Sequence, residues 1–162
     1  MGASRAALAL TLLAGAPLAG AFEYAVICDA GSTGTRAYVY RLDPGATRVR
    51  AQRAAKVKPG LSTFGGRPED TVAYLLELVA DATPLVPAEL RAQTPLFVRA
   101  TAGMRLLESY EQEGVYSALF DGLKAAPACP FLIVRENFAT LTGDEEGFFG
   151  LVRKKDDFLY IY

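Results

Sequence analysis

The stretch Asp29-Ala30-Gly31-Ser32-Thr33-Gly34-Thr35-Arg36, here called the first loop, joins two runs of strand-forming residues, 24–28 and 36–42. Because so few residues separate these runs, they are predicted to be neighbouring antiparallel strands. The two glycines allow a tight turn in which several backbone N–H groups face one anion, and the hydroxyl side chains add further donors. A plain glycine hairpin with an Asx turn is the alternative interpretation of the same residues.

The rest of the chain alternates between strand and helix patterns. The predicted elements are, in chain order, a strand over residues 48–57, a helix from near Pro68, a strand over residues 96–99, a helical stretch over about residues 104–124 that is either continuous or interrupted at Ser109, a strand over residues 131–134 and a helix from near Thr142 or Gly143. Four apolar residues fall on one face of the first helix: Val72, Leu75, Leu76 and Val79. Ser109 and Gln112 have the spacing of a capping box within the second helical stretch. This order predicts an α/β domain, a mixed sheet with helices on both faces.

The composition restricts the possible functions of this chain of 162 residues, which has room for little more than one domain. Lys and Arg number 17 against 18 for Asp and Glu, so neither nucleic acid nor an anionic membrane surface is an expected partner. The sequence has no histidine, which excludes histidine-based triads and His-ligated zinc. A general base must therefore be a carboxylate, Lys, Tyr or Cys.

Residues 1–21 have the pattern of a secretory signal peptide, with Arg5 near the start, an uncharged run over residues 6–14 and the small residues Ala19-Gly20-Ala21 at the end. The uncharged run is shorter than the roughly 20 apolar residues that a transmembrane helix needs. A buried N-terminal helix is the alternative interpretation. No later segment resembles a membrane anchor, so no transmembrane segment is expected beyond the signal peptide.

Two further motifs follow predicted strands. The third loop is Ala100-Thr101-Ala102-Gly103-Met104-Arg105-Leu106-Leu107, whose small residues allow close backbone approach and whose following helix would aim its positive end at the same crevice. Ordinary strand-to-helix packing explains it equally well. The acidic motif is Leu141-Thr142-Gly143-Asp144-Glu145-Glu146-Gly147-Phe148-Phe149-Gly150, either a solvated helix start or a source of a water-orienting carboxylate. Since ligands bind beyond the carboxyl ends of strands in α/β sheets, the first loop and residues 101–103 are predicted to face each other.

Together with the second loop, Lys58-Pro59-Gly60-Leu61-Ser62-Thr63-Phe64, these motifs occur in an order that closely resembles the apyrase family, the ecto-nucleoside triphosphate diphosphohydrolases. The resemblance extends over about residues 24–150. It implies a ribonuclease-H-like domain of the actin/hexokinase/heat-shock-ATPase superfamily at residues 22–150. The implied activity is hydrolysis of nucleoside tri- or diphosphates by an activated water, with Ca2+ or Mg2+. The implied location, with which the signal peptide agrees, is the secretory pathway, outside the cell or in the ER/Golgi lumen.

The resemblance also implies roles for individual residues. Glu146 matches the family's catalytic base, and Asp29 matches the aspartate that holds the divalent cation through water. The residues matching those that bind the nucleotide phosphates are Gly31, Ser32, Thr33, Gly34, Thr35, Arg36, Thr101, Ala102 and Gly103.

The chain also departs from the family pattern. Family members add a second lobe with an Asp-Leu-Gly-Gly-Ala-Ser-type motif, and no such string occurs here. We therefore expect an N-terminal half with impaired turnover, followed by a divergent tail at residues 151–162. Arg99, Asp144 and Leu151 also replace residues that are common in the family. A non-catalytic nucleotide-binding or interaction fragment stays open, as does another superfamily enzyme such as an exopolyphosphatase or a sugar kinase, although the third loop argues against the kinase.

The two cysteines, Cys28 and Cys129, form an even set that favours a disulfide in a secreted chain. The superfamily's sheet order, as the resemblance implies, puts one strand between those that carry them. Two strand spacings are about 10 Å. A disulfide needs Cα atoms within about 7 Å. Both thiols are therefore predicted to be free.

Overall fold

The computed structural model describes residues 23–42, 48–142 and 158–160. Its strands form one six-stranded sheet in the order β5-β4-β1-β2-β3-β6. The strands are β1 (Tyr24–Gly31), β2 (Gly34–Leu42), β3 (Arg48–Val57), β4 (Leu96–Ala100), β5 (Phe138–Thr140) and β6 (Phe158–Tyr160). The α-helices are α1 (Thr71–Ala82) and α2 (Ser109–Ala125).

The sheet is mixed, as predicted. β1, β2 and β3 form an antiparallel meander, in which Cys28 lies opposite Ala37. β4 pairs with β1 in parallel, and β5 pairs with β4 in parallel. The carboxyl ends of β1, β4 and β5 consequently lie at one edge of the sheet, where the first loop, the third loop and the residues before the acidic motif begin.

Alternation along the strands produces the core. Val26, Cys28 and Ala30 of β1 are at most 2% exposed and belong to one hydrophobic cluster with both helices. The helix residues in that cluster include Leu75 and Leu78 of α1 and Val115, Leu119 and Leu123 of α2. Each fully buried aliphatic side chain contributes about 1.5–3 kcal/mol relative to an exposed one.

The opposite face of the sheet is buried as well. Ile27 of β1 and Phe97 of β4 alternate with the residues that face the helices, and both are at most 6% exposed. The second face is therefore buried at β1 and β4, whereas the cluster that contains α1 and α2 lies on the first face.

The first helix begins as predicted and buries a slightly different face. Pro68–Asp70 forms a single 3-10 turn that leads into α1. Leu75 and Val79 are buried, whereas Val72 and Leu76 are only half-buried. The buried face is extended by Tyr74, whose aromatic ring packs 5.0 Å from that of Phe64 (centroid to centroid).

Two predicted boundaries are wrong. Residues 131–134 make only one bridge, in which Leu132 bonds Thr94 and Leu96, and the last parallel strand is β5 instead. The apolar run resembles a strand, but Leu132 and Val134 are exposed, and a 3-10 turn at Arg135–Asn137 separates the run from β5. The capping box of α2 joins Glu108 and Glu111, because the Glu108 N–H donates to the Glu111 carboxylate (2.9 Å).

Several predictions fall on other parts of the chain. The signal peptide (residues 1–21), the third helix from Thr142 or Gly143 and most of the tail lie outside the described residues. Within the tail, Phe158–Tyr160 forms β6, an antiparallel partner of β3 that the sequence analysis did not predict. Among residues 23–42, 48–142 and 158–160, no helix has the length and apolar character that crossing a bilayer requires.

Candidate functional site

The three loops meet at one point. A Cβ added to Gly60 of the second loop would overlap the carbonyl group of Ser32 and lie 2.8 Å from the Gly31 carbonyl oxygen. A Cβ added to Gly103 of the third loop would lie 3.1 Å from the Ser32 Cα. At Gly60 only glycine permits this approach, and at Gly103 a larger residue would require a small shift, so both positions hold the backbone of their loops against the tip of the first loop.

Backbone hydrogen bonding joins the first and third loops. The Thr101 N–H donates to the Ala30 carbonyl (3.1 Å), continuing the parallel pairing of β1 with β4. The Thr101 hydroxyl lies 3.4 Å from the same oxygen. The first loop and residues 101–103 therefore meet at the same edge of the sheet, as predicted.

The hydroxyl groups of the first loop differ in exposure. Ser32 and Thr33 are exposed, whereas Thr35 is completely buried. The Tyr74 hydroxyl lies 2.8 Å from the Thr35 Oγ1. It also donates to the carbonyl of Pro59 in the second loop (2.6 Å). The Thr35 side chain thus supports the loop from inside, and Ser32 and Thr33 are the hydroxyl donors that reach solvent.

Tyr74 is a supporting residue that sequence analysis missed. Its phenol connects the first loop with the second loop from beneath. Burial raises the pKa of Tyr74, and its hydrogen bonds with Thr35 oppose that shift in part. The pKa stays above its ordinary value, so the phenol keeps its proton at neutral pH. The residues around Tyr74 in α1 form no recognisable motif, so only the tertiary contacts of its hydroxyl reveal its supporting role.

Asp29 lies in a row of charged residues that crosses the sheet. Its register partners are Arg36 on β2 and Arg99 on β4, and Arg36 in turn lies opposite Lys56 on β3. Arg99 is 6% exposed, its Nη1 donates to the Glu136 carbonyl (3.4 Å), and its guanidinium lies 5.4 Å from the Phe97 ring centroid. Asp29 is half-buried between two arginine-bearing strands.

The described residues contain no group of three or more His, Cys, Asp or Glu side chains arranged to hold a metal ion. Asp29 is the carboxylate at the carboxyl end of β1, next to the loop tip.

The residues that precede the acidic motif leave the sheet at the same edge. Thr140 of β5 lies opposite Ala100, and the Leu141 N–H donates to the Ala100 carbonyl (2.8 Å). The side chain of Arg105, in the third loop, donates to the Leu141 carbonyl (2.8 Å). Residues 143–157 lie outside the described residues, and with them Asp144, Glu145 and Glu146.

The third loop does not lead straight into an α-helix, and of the two alternatives for the helical stretch the structure has the one interrupted before Ser109. Met104–Leu106 forms one 3-10 turn, and α2 begins only at Ser109. The extended backbone of Leu107 and Glu108 separates the two elements and directs α2 elsewhere. A helix N-terminus therefore does not point at the crevice from residues 104–106.

Both cysteines are free, as predicted. Cys28 is completely buried within β1, and burial raises its pKa to about 12. Cys129 is half-buried, and burial raises its pKa as well. One strand, β4, separates β1 from β5, which agrees with the predicted order, although β5 begins later than expected.

Comparison with known proteins shows that this chain is similar to nucleoside phosphatases. The model of the GDA1/CD39 (nucleoside phosphatase) family matches residues 18–153. A nucleoside-triphosphatase of Caenorhabditis elegans is 38% identical over 139 residues, covering 80% of this chain and 25% of the relative. Probable apyrase 2 of Oryza sativa is 36% identical over 129 residues, covering 77% of this chain and 27% of the relative. The ectonucleoside triphosphate diphosphohydrolase 1 of Rattus norvegicus is 30% identical over 153 residues, covering 91% of this chain and 29% of the relative.

This chain spans about a quarter of the length of the curated relatives it matches. Among solved structures, a nucleoside triphosphate hydrolase from Neospora caninum superposes with a TM-score of 0.55 at 20% identity, over 80% of this chain and 30% of that one. That similarity shows a shared fold, which agrees with the fold that the resemblance to apyrases implies. On the match of residues 18–153, the chain belongs to the GDA1/CD39 (nucleoside phosphatase) family.

Proposed function

We propose that the three loops bind the phosphates of a nucleoside tri- or diphosphate, and that the chain supplies the phosphate-binding domain for hydrolysis of a phosphoanhydride bond by an activated water. The observation that carries this proposal is the contact of Gly60 and Gly103 with the backbone of Ser32. It concentrates backbone donors and two exposed hydroxyls at the carboxyl edge of the sheet, where α/β proteins bind their ligands.

The proposed phosphate contacts divide between backbone and side chains. Ser32 and Thr33 contribute exposed hydroxyls as well as N–H groups, whereas Thr35 contributes its main chain, because its hydroxyl contacts Tyr74. Gly31, Gly34, Ala102 and Gly103 contribute backbone only. Arg36 and Thr101 are half-buried beside the loop tip and complete the set.

A divalent cation, Ca2+ or Mg2+, fits Asp29 through intervening water. The backbone and hydroxyl donors of the three loops are here called the phosphate cradle. Mg2+ usually keeps several waters and binds through one or two carboxylates and the substrate phosphates, so a single carboxylate beside the cradle suits it. Such an ion would neutralise the charge that develops on the transferred phosphoryl group. The flanking strands carry Arg36 and Arg99, which favours a water-mediated contact with Asp29 over direct coordination.

Glu146 is the proposed general base. Support for its placement comes from Leu141, whose N–H bonds the Ala100 carbonyl, so that the acidic motif starts beside the third loop. A carboxylate five residues further along can reach the crevice and orient the attacking water. We also propose residues 1–21 as a signal peptide, and a function in the secretory lumen or outside the cell.

The proposal is tested by measuring nucleotide binding and phosphate release in parallel. ATP and ADP are supplied with Ca2+, with Mg2+ or with EDTA, and their binding to the 162-residue chain is measured by calorimetry. Phosphate release that requires a divalent cation supports hydrolysis, and binding without release supports the non-catalytic alternative. Failure to bind either nucleotide would contradict both.

A matched pair of glycine variants tests the site itself. Gly60→Ala places a methyl group against the Ser32 backbone, whereas a Cβ at Gly66 has no neighbour within 4 Å. Gly60→Ala should weaken nucleotide binding about tenfold or more, because displacing a cradle by a fraction of an ångström misplaces its donors. Gly66→Ala should bind as the unmodified chain does. Equal behaviour of the two variants, with unchanged melting temperatures, would exclude the three-loop cradle.

A further inference from the structure

Three cationic side chains surround the end of the first loop that lies away from the third loop. A Cβ added to Gly34 would lie 3.4 Å from the Lys56 Cε and 3.4 Å from the Lys58 Cγ. Arg36 lies opposite Lys56 in the pairing of β2 with β3. Arg36, Lys56 and Lys58 are here called the cation cluster; the two lysines adjoin Gly34 of the proposed phosphate cradle, and Arg36 lies across the strand pair from Lys56.

The cluster carries an excess of positive charge. Arg36 and Lys56 belong to the row of charged residues that crosses the sheet. In that row Lys56, Arg36 and Arg99 are positively charged and Asp29 is negatively charged, which is three cations against one carboxylate. The ion pairs found among the described residues, Arg67–Asp70 and Arg135–Glu113, do not include the cluster. The charge of Arg36 lowers the pKa of Lys56, and slight burial and the charges of Lys58 and Arg53 add to the effect. Like charges held this close favour an anion between them.

Exposure makes the cluster accessible to a ligand. Lys56 and Lys58 are exposed and Arg36 is half-buried, so the ammonium groups can turn toward an anion bound at the loop tip. A strand end fixes their backbone, because Val57 pairs with Thr35 at the base of the first loop. The cations are thus placed on one side of the cradle without facing the third loop.

We infer that the cation cluster is a second anion subsite, which holds an additional phosphate of a polyphosphate chain bound in the cradle and so favours triphosphates over diphosphates. This inference rests on the proposed function, since it needs phosphate in the cradle. A diphosphate fills the backbone donors of the loops and pairs with Arg36, and it leaves the charges of Lys56 and Lys58 uncompensated. A triphosphate carries more negative charge and extends further, so it can reach both.

Binding of inorganic pyrophosphate and inorganic triphosphate, measured by calorimetry in EDTA at fixed ionic strength, tests the inference. The 162-residue chain should bind triphosphate about tenfold more tightly than pyrophosphate. The double variant Lys56→Ala/Lys58→Ala should reduce that ratio to about two, with pyrophosphate affinity nearly unchanged. Raising the salt concentration should reduce the ratio in the unmodified chain, because exposed charges are screened.

Arg50→Ala is the matched control. Arg50 is an exposed cation on the same strand, six residues from Lys56 and so about 20 Å away. Its removal changes the net charge without touching the cluster and should leave the ratio at its original value. A ratio that falls equally in Arg50→Ala would reduce the effect to overall charge and overturn the inference.

The outcomes separate the inference from the proposed function. If the double variant weakens both ligands equally, or neither, the subsite is excluded while the cradle stands. If Gly60→Ala leaves pyrophosphate binding unchanged, the cradle itself is wrong. If the unmodified chain binds neither phosphate, both the cradle and the subsite are refuted.

Discussion

Asp29 lies directly opposite Arg99 across the parallel pair of β1 and β4. Among the described residues, Arg99 is the one charged side chain that is buried. Its side chain fills space over Phe97 and reaches the Glu136 carbonyl, so it ties β4 to the turn before β5. The positive charge also lies next to the strand end at which we place the cation and the phosphates.

Arg99→Ala should destabilise the fold by about 1–3 kcal/mol, because it removes the packing on Phe97 and the hydrogen bond to the Glu136 carbonyl. Urea unfolding followed by circular dichroism measures the change. Arg50→Ala, at an exposed position, should stay within about 0.5 kcal/mol of the unmodified chain. Equal stabilities for the two variants would show that Arg99 has no structural role.

Tyr74→Phe should lower the free energy of unfolding by about 1–2 kcal/mol, because it deletes the hydroxyl that joins Pro59 and Thr35. It should also weaken nucleotide binding, since the first and second loops lose their common support. Tyr110→Phe removes a hydroxyl from a side chain that is 76% exposed and serves as the control. Nucleotide affinity that is the same in both variants would argue against the supporting role of Tyr74.

Two glycines of α2 should respond to alanine in opposite directions. A Cβ at Gly122 would overlap the Val72 side chain of α1, so Gly122→Ala should destabilise the helix contact by about 1–3 kcal/mol. A Cβ at Gly114 has no neighbour within 4 Å, so Gly114→Ala should stabilise the helix by about 0.5–1 kcal/mol. Thermal unfolding of both variants checks the pair, and a stabilising Gly122→Ala would mean that α1 and α2 are further apart.

Glu146→Gln should reduce phosphate release about a hundredfold or more, because glutamine keeps the size of the side chain but cannot accept the proton of water. Glu145→Gln provides the control at the neighbouring carboxylate and should retain most of the activity. Steady-state phosphate release from ATP measures both variants. Near-normal turnover in Glu146→Gln, with loss in Glu145→Gln, would transfer the role to Glu145.

The thiols should distinguish the folded from the unfolded chain. Burial raises the pKa of Cys28 to about 12, so at pH 8 its thiol is protonated and should not react with a thiol reagent in the native state. Both thiols should react in denaturant without a reductant. Because the pKa of Cys28 is higher in the folded state than its ordinary value of 9.0, its contribution to stability is complete below pH 9 and is lost as the pH rises toward 12. A chain that shows no thiol without reductant would contain the bridge that the strand order excludes.

Local chemistry explains which predictions succeeded. The glycines and short length of the first loop require a hairpin, so β1 and β2 and their antiparallel pairing followed from the sequence. Pro68 and the two acids behind it marked the start of the first helix, because the first turn of a helix tolerates proline and favours negative charge. The motif order was sufficient to identify the family.

Other features depend on contacts between distant segments. Residues 131–134 have the apolar pattern of a strand, yet β5 forms at residues 138–140, because hydrogen-bond partners on β4, and not local pattern, select the paired segment. The N-cap of α2 is Glu108 and not the predicted Ser109, because the Glu108 N–H donates to the Glu111 carboxylate.

The chain alone therefore determined the hairpin, the helix start, the likeness to nucleoside phosphatases and the residues that could contact phosphate, since each depends on neighbouring residues or on a recurring motif. Tertiary structure decided that Thr35 turns inward to Tyr74, that Arg99 is buried opposite Asp29, and that Lys56 and Lys58 flank Gly34. Each of these is a meeting of segments far apart in sequence. Register and packing across the sheet bring them together, and no local pattern encodes that register by itself.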